Sequence, residues 1–362
     1  MTMQTTLETI GEEGLRRFMA LQAGAISSVS ERFYATYGSL YERYGAAGRQ
    51  ACREDLAYHL EFLRPVLEFG ILQPMVDYLV WLHNVLEVRA VPTQHLAQSL
   101  DWLAEYFSVH LEPADAAIVT AALHAARAQF VAAVSTATPR ASPQPPEAWP
   151  EEQPFLAALM AGDQGQALDI AKGCLERGAG LVDMELHVVQ PALYRIGEMW
   201  QANRLSVAQE HLATAIAQSV MTACLLLSQP ATPLGRRVLL ACVEGNQHAL
   251  GLRMVADAFQ LGGWGVQYLG ANVPTQALIR QTREWRPHLL GLSISLPHQL
   301  KAVRAIIKQL GEQLGDARPA VMIGGLAINR FEALSGLVGA DAAARDPLQA
   351  VSAARGLDMG IA

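Results

Sequence analysis

Cysteine is scarce in this 362-residue chain: Cys52, Cys174, Cys224 and Cys242 stand far apart with no C-x-x-C pair. That spacing excludes a zinc knuckle and a disulfide framework. Positive charge is scarce as well. The 27 Lys and Arg residues against 34 Asp and Glu leave a formal charge of −7, and no window gathers basic residues into a stripe that would neutralise several phosphates. Direct nucleic-acid binding is thereby disfavoured. No run of about 18 residues is free of polar breaks, and the opening MTMQTTLETIGEEGLRRF lacks the basic-then-apolar layout of a signal peptide. The expectation is a cytoplasmic chain with no membrane partner. Cyclase, phosphodiesterase and kinase motifs are missing too, so the chain is expected not to be an enzyme. With 51% hydrophobic residues, what is there suffices for two or three folded domains at about 100–200 residues each.

The sharpest change of composition is the proline-rich TATPRASPQPPEAWPEEQP, residues 136–154, which has no apolar periodicity and reads as a linker, assigned to 136–152. Before it, residues 1–135 carry apolar positions three and four apart, such as Leu56, Leu60 and Leu63. Breaks fall near Gly45–Gly48, Gly70–Pro74, Val91–Thr93 and Glu112–Asp115, which predicts an all-helical domain. Residues 153–232 are again helical, broken at Ala161–Asp163, Gly178–Gly180 and Gln201–Ser206, lengths that suit a four-helix bundle. From 233 to 362 short apolar runs alternate with helical windows. Strands are predicted at 237–243, 265–270, 289–295 and 320–325, with helices beginning near His248, Pro274, Pro297 and Arg330. That alternation describes a doubly wound, Rossmann-like parallel sheet that takes ligands at the carboxyl ends of its strands.

At those ends lie the candidate ligand residues. The first strand runs into Asn246-Gln247-His248-Ala249-Leu250-Gly251, the third into Ser293 and Ser295, and the fourth into Gly324-Gly325. A lone histidine cannot hold a bare zinc, but it suffices for one axial position of a metal already enclosed by a macrocycle. Taken singly, His248 reads equally as a surface-loop histidine, and the Ser and Gly residues as ordinary turn chemistry. Together, N-x-H-x-x-G, the serines, the Gly pair and YLGANVP at 268–274 resemble the cobalamin-binding domain of methionine synthase, corrinoid methyl carriers and related photoreceptors. The resemblance implies that His248 is the lower axial cobalt ligand and that the cofactor tail enters a slot lined by Ser293, Ser295, Gly324 and Gly325. Two positions depart from the pattern. Asn246 stands where the family has an acidic residue, and Ser295 stands where it has leucine.

In the bundle, Trp200 precedes Glu210-His211 in a W-x9-E-H arrangement. By itself this is a core tryptophan beside a capped helix. Beside a cobalamin domain it looks like the cap of light-responsive, adenosylcobalamin-dependent regulators. The resemblance implies that Trp200 packs on the adenosyl group, Glu210 bonds to it, and His211 takes the upper cobalt position once light has broken the Co–C bond. Those regulators carry a helix-turn-helix where this chain has its longer amino-terminal domain. Within that domain Cys52, Asp55 and His59 share one helix face, and Cys52-Arg53-Glu54-Asp55 resembles the C-x-R-D segment of globin-like phycobiliproteins, which bind linear tetrapyrroles. A globin-like domain holding a bilin such as biliverdin, covalently or not, through Cys52, Arg53, Asp55 and His59 is one reading; a ligand-free dimerisation bundle is the other. With the bilin, the whole chain is similar to a photocobilin. The expected cofactors are adenosylcobalamin and a bilin, and the expected partners are a second copy of the chain, as a dimer, and a downstream effector. The alternatives are a corrinoid methyl carrier and a light-independent cobalamin sensor.

Overall fold

The structure is a computed structural model that describes residues 7–136 and 147–357. Most of the segment expected to be a linker, 137–146, lies outside the described residues. The chain divides into two compact units, Met1–Arg140 and Ala141–Ala362.

The first unit is all helix: α1 (Glu12–Tyr41), α2 (Gly45–Phe69), α3 (Gln73–Glu87), α4 (Thr93–His110) and α5 (Pro113–Ser135). Its boundaries follow local chemistry. Gly70, at φ 70°, ends α2 in the left-handed conformation, and Pro113 opens α5 where its missing N–H is not needed. Phe18, Leu63, Leu67, Met75, Leu79, Leu100, Leu103, Phe107 and Phe130 are buried to form the core.

The second unit begins with a bundle of α6 (Glu152–Ala161), α7 (Gln164–Glu176), a long interrupted helix and α10 (Val207–Leu227). The interrupted helix comprises α8 (Leu181–Met184), a π-turn at Glu185–Val189 and α9 (Gln190–Gln201). Pro191 explains the interruption, since it has no N–H to give to the carbonyl of His187 four residues back. The Trp149 N–H, at the end of the proline-rich segment, bonds that carbonyl at 3.0 Å. The Trp149 ring stacks on His187 at 5.1 Å between centroids, and His187 Nδ1 meets the Glu147 carbonyl at 2.7 Å.

The bundle is followed by β1 (Arg237–Cys242), α11 (Leu250–Leu261), β2 (Gly265–Tyr268), α12 (Thr275–Trp285), β3 (Leu289–Ser293), α13 (Leu300–Leu314), β4 (Ala320–Gly324), α14 (Leu326–Arg330), β5 (Ala342–Ala344) and α15 (Pro347–Gly356). The strands form one parallel sheet in the order β2-β1-β3-β4-β5 among the described residues. Strand order reverses between β1 and β3, so the crevice beyond their carboxyl ends is the topological switch point. The multidomain fold is therefore helical region, helical bundle and Rossmann-like sheet, as expected.

Three details correct the sequence reading. The edge strand β5 was not foreseen, because Ala342-Ala343-Ala344 lacks the β-branched residues that mark strands and gains its conformation from pairing with β4. The helix after β4 starts at Leu326 and ends at Arg330, where a start had been expected. Finally, α5 and α10 are long and apolar enough to cross a membrane by length and composition. Alanine-rich stretches raise their hydropathy, yet each helix buries one face in its own unit, through Val119, Leu123 and Phe130 in α5 and Ile216, Val220 and Met221 in α10.

Candidate functional site

The β1–α11 loop carries His248 into the switch-point crevice, and its backbone is fixed residue by residue. Gly245 turns the chain at φ 83°, and its N–H donates to Asn272 Oδ1 at 2.8 Å. Asn272 is itself held at φ 51°, a conformation asparagine tolerates better than most residues. Asn246 is wholly buried; its Nδ2 donates to the Ser293 carbonyl at 2.9 Å and its Oδ1 accepts the His248 N–H at 3.1 Å. The Cys242 thiol, pushed up to about 11 by burial, donates to the His248 carbonyl at 3.6 Å. The Tyr268 hydroxyl donates to the next carbonyl, that of Ala249, at 3.1 Å. The backbone of His248 is thus held on both sides while the residue keeps access to solvent. Protein mass around the ring lowers the imidazole pKa, and the Glu210 carboxylate pulls the other way.

That electrostatic reach brings the cap into the site. Ser206 and Gln209 form a capping box at the start of α10, with Gln209 N–H to Ser206 Oγ at 3.2 Å and Ser206 N–H to Gln209 Oε1 at 2.9 Å. The box sets Glu210 and His211 in the first turn. Glu210 accepts from the Thr214 hydroxyl at 3.0 Å and pairs with His211 Nδ1; the His211 side chain is 74% exposed. Trp200, in the last turn of α9, is half-buried against the bundle core, to which Met254 and Leu250 of α11 also contribute.

Ser293 and Ser295 are buried at the end of β3. Gly324 and Gly325 let the end of β4 lie close to its neighbours: a Cβ on Gly324 would meet the Ala344 carbonyl at 2.8 Å, and one on Gly325 the Ile294 carbonyl at 2.4 Å. Gly325 also has φ 98°, which only glycine adopts readily. Sequence reasoning missed Gln299, Asn272, Cys242 and Tyr268, which hold the loop. Tyr268 and Asn272 lie within YLGANVP, quoted above for the resemblance but given no role there.

A metal-containing macrocycle fits these residues. No cluster of three or more His, Cys, Asp or Glu side chains suited to a metal occurs among the described residues, so a bare ion has no protein cage. A single imidazole, which when neutral has one nitrogen lone pair to give, is the donor that a macrocycle-held cobalt needs. Beside it Gly245 and Gly251 face open space, with nothing within 4 Å of a built Cβ.

The amino-terminal unit holds a cavity of about 170 Å³. Cys52, Asp55 and His59 line it, with Phe33, Tyr34, Tyr41, Leu86, Arg89 and His95 among the other walls. Its lining is largely apolar with a few polar groups, as in small-molecule sites. Arg53 is exposed and does not line the cavity; Arg89 is the arginine that does. His59 is buried, its Nδ1 meets the Tyr78 hydroxyl at 2.8 Å, and burial lowers it to about 3, so it is neutral. His95 Nδ1 meets the Tyr41 hydroxyl at 2.6 Å, and its ring stacks on Tyr37.

Comparison with known proteins places these features. Residues 236–352 match a B12 binding domain model, and residues 151–225 match a second B12 binding domain model. The HTH-type transcriptional repressors CarH and CarA of Myxococcus xanthus are 31% and 29% identical to the chain, over 52% and 53% of it. The chain spans 61% and 65% of the length of those two relatives. Dimethylamine corrinoid protein 3 of Methanosarcina mazei is 31% identical over 32% of this chain and 68% of its own length. The sheet domain with its His248 loop and the bundle above it are thus each matched, and the chain belongs to the family of B12-binding proteins.

Proposed function

We propose that the protein is a cobalamin-dependent photoreceptor that also carries a bilin, and that it acts in the cytoplasm. The observation that carries the reading is the placement of Trp200 in the last turn of α9 and of Glu210-His211 at the start of α10, in a bundle whose core takes in Leu250 and Met254 of α11, the helix that the His248 loop opens; the Glu210 carboxylate opposes the burial that lowers the His248 pKa. Cap and ligand loop therefore face one another with the residues a light-cleaved adenosyl group would need. The similarity to the CarH and CarA repressors supports the same branch.

Adenosylcobalamin, when bound, supplies a cobalt–carbon bond that visible light breaks. His248 would hold the lower cobalt position from a loop whose backbone is already fixed, and Ser293, Ser295, Gly324 and Gly325 would border the tail. Trp200 offers an indole face for the adenosyl group. Thr214 and His211 use different oxygens of Glu210, so His211 could leave that carboxylate without costing it the Thr214 bond and would be available as a second cobalt ligand. A signal from such a site would be a change of population between two arrangements of bundle and sheet. Output passes through a homo-oligomer, a dimer, to an effector protein. In the amino-terminal cavity Asp55, His59 and Arg89 would hold a bilin such as biliverdin, with Cys52 beside it and Arg53 outside.

The likeness to a dimethylamine corrinoid protein favours a second reading, a methyl carrier, and a light-independent cobalamin sensor is a third. The test is a dark and an illuminated absorption spectrum of the full chain with adenosylcobalamin and biliverdin, alone and together. Light-driven bleaching of the alkylcobalamin bands, a stable adduct that His211→Ala loses, and a His-ligated spectrum that His248→Ala loses are the expected results. A corrinoid spectrum indifferent to light, with methyl loading indifferent to Glu210→Ala, would establish the carrier.

A further inference from the structure

Beyond the strand ends lies a short turn, Pro297–Gln299, whose last side chain is 2% exposed. Gln299 Oε1 accepts the N–H groups of Ser295 and Leu296, at 2.9 and 3.1 Å, and Nε2 donates to the Gly245 carbonyl at 2.9 Å. One amide thus joins the loop that follows β3 to the loop that carries His248, across 54 positions of sequence. Gly245 is consequently gripped from both sides, by Asn272 on its N–H and by Gln299 on its carbonyl. The Ser293 carbonyl takes two more cross-loop bonds, from Asn246 Nδ2 at 2.9 Å and from the Val243 N–H at 3.2 Å.

From this geometry we infer that Gln299 is the positioning residue that locks the His248 loop to the Ser293–Ser295 loop and so sets the affinity and the axial ligation of the bound cobalamin. The inference rests on the cobalamin reading above. The bonds of Gln299 go to backbone groups of Ser295, Leu296 and Gly245, so it acts by holding the turn that carries His248. The job needs an acceptor and a donor on one side chain of this length. Leucine offers neither, and ionised glutamate keeps the two accepted N–H groups but sets a carboxylate against the Gly245 carbonyl. Groups that orient a metal's ligand typically govern affinity by about 10–100-fold.

The experiment titrates adenosylcobalamin in the dark into the full-length wild type, Gln299→Leu, Gln299→Glu and His248→Ala, reading the Kd and the His-on or His-off spectrum from pH 5.5 to 8. Gln299→Leu is expected to bind about 10–100-fold more weakly or to show a His-off fraction where the wild type is His-on. Gln299→Glu should match that loss at pH 8. As pH falls, its Kd relative to wild type should recover, because a protonated carboxyl again donates to Gly245. That recovery keeps the test alive if the leucine variant does not fold, and simple loosening of the fold would not produce it. Variants with wild-type Kd and spectra, beside a His248→Ala that is His-off, overturn the role of Gln299 and leave the cobalamin reading standing. A wild type that binds no cobalamin overturns both.

Discussion

At Asp55 an acid sits in a mainly apolar wall, and burial, reinforced by Glu54 and opposed by Arg89, pushes it up to about 6. A pigment in that cavity meets a carboxyl that changes charge between about pH 5 and pH 7. The absorption band of bound biliverdin is expected to shift across that window, and Asp55→Asn should flatten the shift; a titration of the band against pH checks it. Its neighbour Cys52 behaves otherwise. Burial, with Asp55 adding to it, pushes the thiol up to about 11, so at neutral pH about one molecule in 10⁴ carries the thiolate that would attack a vinyl group. Pigment should therefore be released from denatured wild type, and Cys52→Ala should leave the native colour nearly unchanged. Colour that stays on the denatured wild-type chain and disappears in the variant would show a covalent link.

The π-turn at Glu185–Val189 sets a titration at the scale of an element. Glu185 is fully buried, and its carboxyl shares a hydrogen bond with that of Asp257 of α11, whose Oδ1 accepts from Arg253 at 2.7 Å. Burial and the adjacent Asp257 charge raise Glu185 well above the usual carboxylate range, so it is the neutral partner and Asp257 the one paired with Arg253. The folded chain then holds a proton that the unfolded chain releases above its ordinary value of about 4.3, and stability falls as pH rises from there toward the folded pKa. Urea midpoints of the second unit should drop from pH 5.5 to pH 8 in wild type and drop less in Glu185→Gln. An equal slope in both would place the pH dependence elsewhere. Much at this scale was legible in the sequence. Strands β1 to β4 announced themselves as short apolar runs, and nearly every helix break carries Gly, Pro or a capping residue. What escaped is what depends on distant partners: β5, made a strand by pairing, the π-turn, and Gln299, whose bond to Gly245 reaches 54 positions away. His248, Glu210 and His211 were visible because their spacing lies within single loops and turns.

For the whole molecule, two compact units with a candidate site in each predict two separable chemistries. His248→Ala is expected to lose His-ligated cobalamin and keep biliverdin, and Asp55→Asn to do the reverse in degree, each read by absorption after gel filtration. Loss of both ligands from either variant would mean that neither site stands by itself. The attachment of Trp149 has a mechanical consequence. Where the chain enters the second unit, it is tied to the one turn whose helical ladder Pro191 has already interrupted, by a single N–H···O bond, a stacked ring pair and the His187–Glu147 bond. Tension arriving along the chain therefore loads the bundle at its thinnest rung, and that turn would yield before the intact helices on either side.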